Sequence, residues 1–459
     1  MAIAEPPPKS EGELGRTIKG ETLFGVGPDL AAWISLLIEH QGAVPDSPKA
    51  LQGLVSAHWA RGMRMLTDEV RAADKDASQF WRRLAESALP ASGGMSVAEP
   101  RVFGGDVVAA PVVLQIGEVG TDVMSNEPVV WSLNAPGGSP HSAFMGGVGS
   151  GKTRTAAFVL RSLAEQSPTT PLIAFDFKGD MSDKNNALDK AFGATVLSPL
   201  IAPIPLDVFA LADSGRHTIT TTALRLRDSL SNLKEARFGD LQRRRLNDAL
   251  ETALRNCKPC TLPHVRDALK KIYASEGVKE DGAVSSLVEL CRLPLFEPKY
   301  SPAEFFSKSW IISLPANVPE LVRVAVVSLL TDALERHINT LTDAATDTNG
   351  NRALRSMCVI DEAHKILGAR LPGLANLIRL GRSKGAAVML ISQRPDDFAG
   401  EDDDFLAEMG LIGCFSTNAN PAQVRRIFGP GSALTALKKG EALIKVRGDA
   451  RAAQVVCWQ

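Results

Sequence analysis

Gly146-Gly147-Val148-Gly149-Ser150-Gly151-Lys152-Thr153 is preceded by the apolar run Ser142–Met145 and followed by a helical pattern from Thr155 to Glu165. This stretch decides how the rest of the chain is read. Its glycines let backbone N–H groups turn toward an anion without Cβ clashes, and the helix behind them points its positive end at the same spot. Lys152 adds a cation that can reach β- and γ-phosphate oxygens, and the Thr153 hydroxyl suits Mg2+. Residues Gly146 to Thr153, with the adjoining Arg154, are therefore the expected nucleotide-binding segment, and ATP with Mg2+ the expected cofactors.

A phosphate loop needs a carboxylate site further along. Met357-Cys358-Val359-Ile360-Asp361-Glu362 is an apolar strand ending in two acids. Asp361 is placed to hold Mg2+ through water and Glu362 to polarise the attacking water. Between and beyond these motifs, SAFMG, PLIAFD, SWIISL, SMCVID, AAVMLIS and LIGCFST alternate with helical patterns. Continuous apolar runs without in–out alternation suit a parallel sheet covered on both faces. Residues 212–300 are mostly helical and read as an insertion. GEALIKVRGDARAAQVVCW at the end reads as a β-hairpin closing the sheet.

Working back toward the amino terminus, residues 105–133 predict short strands and PASGGMSVAEP a linker. Leu51, Leu54, Val55, His58, Gly62, Met65, Leu66 and Val70 fall on one helix face, with Trp33 and Trp81 as anchors of flanking helices. The reading divides the chain into a disordered tail (1–13), a helical N-terminal domain (14–98), a linker with short strands (99–135) and the main domain (136–459). At 459 residues, two or three domains is the reasonable expectation. A net charge of −1 excludes a basic glove over the whole surface but allows a local strip or channel. Aromatic content of 5% argues against base-stacking platforms. The start carries no signal pattern, and the apolar stretch at 30–38 is too short to span a bilayer, so a cytoplasmic protein without membrane contact is expected. Six cysteines do not make a secreted disulfide framework. Cys257, Cys260, His264 and Cys291 lack the second close pair of a structural zinc site and read as part of a loop between helices.

Asp361-Glu362-Ala363-His364 spells the DEAH of superfamily 2 helicases, but neither S-A-T nor Q-x-x-G-R-x-G-R comes after it. The chain continues instead with Leu377-Ile378-Arg379-Leu380-Gly381-Arg382, Gly385, and a strand ending Ser392-Gln393-Arg394-Pro395. The phosphate loop, Asp176-Phe177-Lys178-Gly179-Asp180, the Asp361-Glu362 strand, the Gly-Arg helix, the Ser-Gln-Arg-Pro strand end and Gly440-Glu441-Ala442-Leu443 together resemble the HerA/FtsK superfamily of DNA pumps. The likeness covers about residues 136–459. It implies an α/β, RecA-like P-loop ATPase core with a parallel-type central sheet, assembled as a ring, with a hexamer expected, that drives double-stranded DNA through its channel. It assigns Gln393 as the sensor of the γ-phosphate. Arg382 becomes the arginine supplied in trans, with Arg379 the second choice. Lys152 and Glu362 complete the catalytic set. For Lys178 and Asp180 a turn closed by its own salt bridge fits as well as a functional role. Residues 11–72 are similar to the C-terminal half of DndE, a small DNA sulfur-modification protein. That implies a part in anti-phage or phosphorothioation-linked defence, beside a nuclease or modification partner. A helical assembly and docking element fits the same residues.

Residues 214–260 carry ten Lys/Arg against five acids, densest at Arg243-Arg244-Arg245, which makes this triplet the candidate DNA contact. Two other functions fit the same chemistry. One is a switch ATPase that scaffolds a defence complex without translocating. The other is a conjugation-type coupling ATPase, disfavoured here by the lack of a membrane anchor.

Overall fold

The apolar runs become central strands in the computed structural model, which describes residues 109–211, 215, 217–233, 238–398 and 404–459. The readings made for residues 1–98, including the DndE-like segment, lie outside the described residues. The chain enters with β1 (Val113–Gln115), β2 (Thr121–Asp122) and β3 (Val130–Ser132), then β4 (Ser142–Met145) and α1 (Lys152–Gln166). Next come β5 (Leu172–Asp176), α2 (Leu188–Phe192), β6 (Thr195–Leu197) and β7 (Ile204–Leu206). The helical segment holds α3 (Thr218–Ser231), α4 (Asp240–Asn256), α5 (Leu262–Glu276) and α6 (Gly282–Leu290). After β8 (Phe296–Tyr300) and α7 (Pro302–Phe306) come β9 (Trp310–Ser313), α8 (Glu320–Thr340), β10 (Ser356–Ile360), α9 (His364–Leu367) and α10 (Pro372–Leu380). The chain ends with β11 (Ala386–Ser392), β12 (Leu411–Phe415), α11 (Pro421–Phe428) and the hairpin β13 (Glu441–Val446) and β14 (Ala453–Val456).

The main sheet has ten strands in the order β2-β14-β13-β12-β4-β11-β10-β5-β9-β6. From β12 to β6 every pairing is parallel, and from β12 out to β2 every pairing is antiparallel. All residues of β5, β10 and β11 are buried, as a sheet covered on both faces requires. Their side chains still alternate, but between two cores. Cys358 and Ile360 join one, with the helical segment, α8 and α10, while Met357 and Val359 join the other, with α1. Burying one such aliphatic side chain contributes about 1.5–3 kcal/mol, so a charge at any of these positions would break a layer.

Residues 109–135, placed in a linker on sequence grounds, are integral to the sheet domain. β2 is its outermost strand, and β1 with β3 forms a ribbon whose Leu114 and Trp131 are buried over α1. Gln166 fastens this ribbon, accepting from Val113 N at 3.0 Å and donating to its carbonyl at 2.8 Å. The helices of the 212–300 segment rise between β7 and β8, which pair with each other in parallel. They share the sheet's core through α8, a helix buried on nearly every side. Inside it Arg336 bonds Asp332 at 2.8 Å and the carbonyls of Ala210 and Val208 at 2.7 and 2.6 Å, so the buried charge is fully met. α10 crosses α8 at Gly373, where any Cβ would fall 2.6 Å from the amide nitrogen of Asp332. Only glycine lets the helices approach so closely.

Parallel strands end at one edge. Because β4, β11, β10 and β5 are neighbours, that edge carries in sequence of space the phosphate loop, Gln393, Asp361-Glu362 and Asp176-Lys178. Met145 pairs with Ser392, and Ile360 with both Leu390 and Phe175, which sets these motifs level. Sites of open α/β sheets form at this carboxyl edge.

Candidate active site

The phosphate loop leaves β4 and is braced from Gly147 N to the Ser416 carbonyl at 2.9 Å. Gly151 begins α1 with a φ of 110°, in the left-handed region. A Cβ there would also sit 2.2 Å from Trp458 Nε1, so both backbone and packing demand glycine. No side chain caps α1 and no acid occupies its first turn. Its leading amides are thus left to an anion from solution. Lys152 is buried, and burial pushes its ammonium pKa down, helped by the Lys178 charge and opposed by Glu362, Asp361 and Asp180. Thr153 is half-buried. Arg154 is exposed; its Nε donates to Glu118 Oε1 at 3.0 Å and its guanidinium lies 4.6 Å from the Trp458 ring centroid.

The acids lie across the edge from Lys152. Asp361 is fully buried, and among the described residues neither of its oxygens has a hydrogen-bond partner. Burial pushes its carboxyl up to about 7, with Lys178 opposing and Glu362 and Asp180 adding to the rise. Ligand atoms of Asp176, Asp180 and Asp361 lie within 4.8 Å of one another. Asp180 also keeps one oxygen unpartnered. A buried carboxylate left without donors calls for a cation, and an all-oxygen set of this kind suits Mg2+. The residues present therefore fit the metal that a phosphate loop implies.

Glu362 is buried and sits at φ 47°, a left-handed conformation that costs a glutamate on the order of 1–3 kcal/mol. Its Oε2 accepts from Gln393 Nε2 at 3.0 Å and has His364 Nε2 at 3.5 Å; its Oε1 forms an ion pair with Lys178 Nζ. Burial raises this carboxyl, but the hydrogen bonds of Lys178 and Gln393 and the charges of Lys178 and Lys152 outweigh it and hold the group below the ordinary glutamate value. Gln393 is aimed by Asp397, whose Oδ2 accepts from Ser392 Oγ (2.6 Å), Gln393 N (3.1 Å) and Arg394 N (2.8 Å).

Arg382 lies elsewhere. It is exposed on the short turn Gly381–Lys384 after α10 and borders a surface hollow with Asn134, Pro140 and Gly385, residues that precede β4 and β11. That is the amino edge of the sheet, opposite the phosphate loop of the same chain. His141 shares this edge. It accepts from Val388 N at 3.1 Å, and burial pushes its pKa down to about 4, with the Ile378 carbonyl opposing and the Arg382 charge assisting. Arg379 is exposed on the last turn of α10.

Arg243, Arg244 and Arg245 do not form one basic face, because consecutive helix residues point about 100° apart. Arg243 bonds Asp228 at 2.6 Å, and Arg244 and Arg245 bond Glu276 at 3.0 and 2.7 Å. Arg245 is buried with its guanidinium 4.8 Å from the Tyr273 ring centroid, which corrects its reading as a DNA contact: it ties α4 to α5. The sequence leaves the roles of Lys178 and Asp180 open and carries no local sign of Glu118, Asp397 or Trp458. The order Asp-x-Lys-Gly-Asp after a buried strand was the available signal for the first pair. The others gain meaning only from long-range packing.

No protein-family model matches the sequence, and no curated protein matches it either. Solved structures share the fold. VirB4 of Thermoanaerobacter pseudethanolicus superposes with a TM-score of 0.55 at 14% identity, over 77% of this chain and 97% of that one. The bacterial conjugative coupling protein TrwBΔN70 gives 0.51 at 14% over 78% and 97%. TrwB in complex with ADP and Mg2+ gives 0.50 at 15% over 77% and 95%. The α/β architecture with its mostly parallel central sheet is thus that of the VirB4 and TrwB core. Among the described residues no helix is long and apolar enough to cross a membrane.

Proposed function

We propose that the chain is the ATP-hydrolysing subunit of a ring-shaped motor that moves DNA, of the coupling kind. The observation that carries this is the meeting of Lys152, Asp361, Glu362 and Gln393 at the carboxyl edge of the sheet. In this reading the α1 amides and Lys152 hold the triphosphate. Thr153 and Asp361 take the Mg2+ side, with Asp176 and Asp180 beside it. Mg2+, when bound, neutralises charge on the phosphate oxygens. Glu362 accepts the proton of the attacking water, and Gln393, bonded to Glu362, links that carboxylate to β11.

Arg382 supports a ring. A cation on the opposite edge of its own sheet can complete only a neighbour's site, as transition-state charge requires of an arginine in trans. The coupling-type function, set aside on sequence because no anchor was evident, is preferred because the solved relatives include a conjugative coupling protein. The narrower reading, a defence translocase with a nuclease or modification partner, rests on the DndE-like segment alone.

The test is ATP turnover by the purified protein with and without double-stranded DNA, paired with displacement of a protein roadblock. Turnover stimulated by DNA together with displacement supports the motor. Stimulation without displacement favours a switch ATPase, and no turnover above background in either condition rejects the site assignment.

A further inference from the structure

We propose that Lys178 is the positioning residue for the general base Glu362, an inference that rests on reading this site as an ATPase centre. Lys178 begins the turn after β5, and that turn is rigidly made. Asp176 Oδ1 accepts from the amides of Lys178 (3.1 Å) and Gly179 (2.7 Å), while Oδ2 accepts from Met181 N (3.1 Å). The Lys178 backbone is thereby fixed beside β10. From there its ammonium reaches Glu362 Oε1, leaving Asp180 with an unpartnered oxygen in the same turn. A salt bridge closed within the turn, which the sequence equally allowed, is not the pairing formed. Gln393 grips the other oxygen at 3.0 Å.

Glu362 thus has each carboxylate oxygen held by a different strand end, and its own backbone is in the left-handed region. A glutamate in that conformation needs its surroundings to fix it. A base must also present a lone pair to water within a few tenths of an ångström, and a misplacement of about 1 Å can cost about 100-fold in rate. Without Lys178, only Oε2 would be held, by Gln393 with His364 beside it, and Oε1 would be free to swing toward Lys152. Lys178 does not need to touch phosphate to matter, because it acts through Glu362.

The experiment uses the full-length protein with Lys178→Met and Lys178→Arg, each in wild-type and Glu362→Gln backgrounds. Steady-state ATP hydrolysis gives kcat and KM, and binding of a fluorescent ATP analogue reports affinity and folding of the site. Positioning predicts that Lys178→Met lowers kcat by ~10–100-fold while KM and analogue affinity stay within ~3-fold, and that Lys178→Arg recovers most of the loss. In the Glu362→Gln background Lys178→Met then costs less than ~2-fold, since its target is already gone. Unchanged or faster kcat overturns the proposal. So does a loss expressed in KM and affinity, which would make Lys178 a phosphate ligand, or an equal loss in the Glu362→Gln background. Should the Met variant fail to fold, as its melting curve reads, the Arg variant decides: wild-type affinity with kcat reduced ~10-fold or more rejects positioning. A wild-type protein that does not hydrolyse ATP removes the underlying reading itself, a result distinct from all of these.

Discussion

The carboxyl edge of the sheet and the helical segment between β7 and β8 are both rich in charge, yet they treat it in opposite ways. On the helices the arginines have found acids: Arg243 with Asp228, Arg244 and Arg245 with Glu276, Arg225 with Glu335. At the edge, Asp361 is fully buried with both oxygens unmet, and Asp180 keeps one unmet. Paired charges settle packing and orientation. A buried charge left unpaired costs stability and persists only where something outside the chain completes it. The comparison separates architecture from chemistry more sharply than charge density, which favoured the helices.

The largest expected effect lies at the edge. Glu362→Gln keeps the shape and one hydrogen bond of the side chain but removes the proton acceptor. Hydrolysis should fall at least ~100-fold while ATP binding persists. Lys152→Ala should instead lose nucleotide binding. Turnover of Glu362→Gln near wild type would put the base elsewhere and dissolve the contrast between edge and helices.

Asp361→Asn tests the stability side of the same contrast. The folded carboxyl titrates near 7 and an unfolded aspartate near 3.8, so between those values the folded state binds the extra proton. Stability of the metal-free protein should therefore decline as pH rises from about 4 to about 7, by on the order of 4 kcal/mol at most. Asp361→Asn should flatten that decline and raise the melting temperature at pH 8 in EDTA, while abolishing Mg2+-dependent turnover. An equally steep pH profile in the variant would show that the unmet carboxylate is not the source.

Arg382 sharpens the comparison across a subunit boundary. Arg382→Ala and Lys152→Ala each spoil a different half of a shared site, so mixed rings should regain part of the wild-type turnover. Verified mixed rings that stay inactive would return Arg382 to an ordinary exposed residue of the amino edge.

Much of this was legible in the chain. Ser142–Met145, Ser356–Ile360, Ala386–Ser392 and Leu411–Phe415 announce themselves as strands because burial on both faces removes polar alternation. The phosphate loop and Asp361-Glu362 are local motifs, and parallel pairing then brings them together. Lys178 was ambiguous because one turn offers it an acid two residues away, and only the β10–β5 pairing shows that Glu362 is the partner. Trp458 and Glu118 carry no local signal for the same reason, since their contact with Arg154 joins residues remote in sequence. Arg243-Arg244-Arg245 differs in the other direction: a run of like charges in sequence is a fan of directions on a helix, and Arg245 is the one it buries.

The smallest expected effect concerns that fan, and it is the one that most directly challenges the contrast. Arg243 and Arg244 remain partly exposed, at 37% and 57% of their side-chain surface, while engaged with Asp228 and Glu276. Replacing both with alanine removes two exposed ion pairs, which in water are worth about 0–1 kcal/mol each, so the melting temperature should scarcely move. If their charges are spent on α3 and α5, DNA affinity should fall less than ~3-fold, and the slope of affinity against salt should stay as it was. A pair of phosphate contacts would behave otherwise: each releases about one counterion on binding, so the slope would drop by about 2. Binding titrations of wild type and the double variant at several salt concentrations read both quantities together. A drop of that size would mean that these arginines exchange their acids for phosphates when DNA arrives. The helical segment would then carry chemistry as well as architecture, and pairing in the free protein would no longer separate the two.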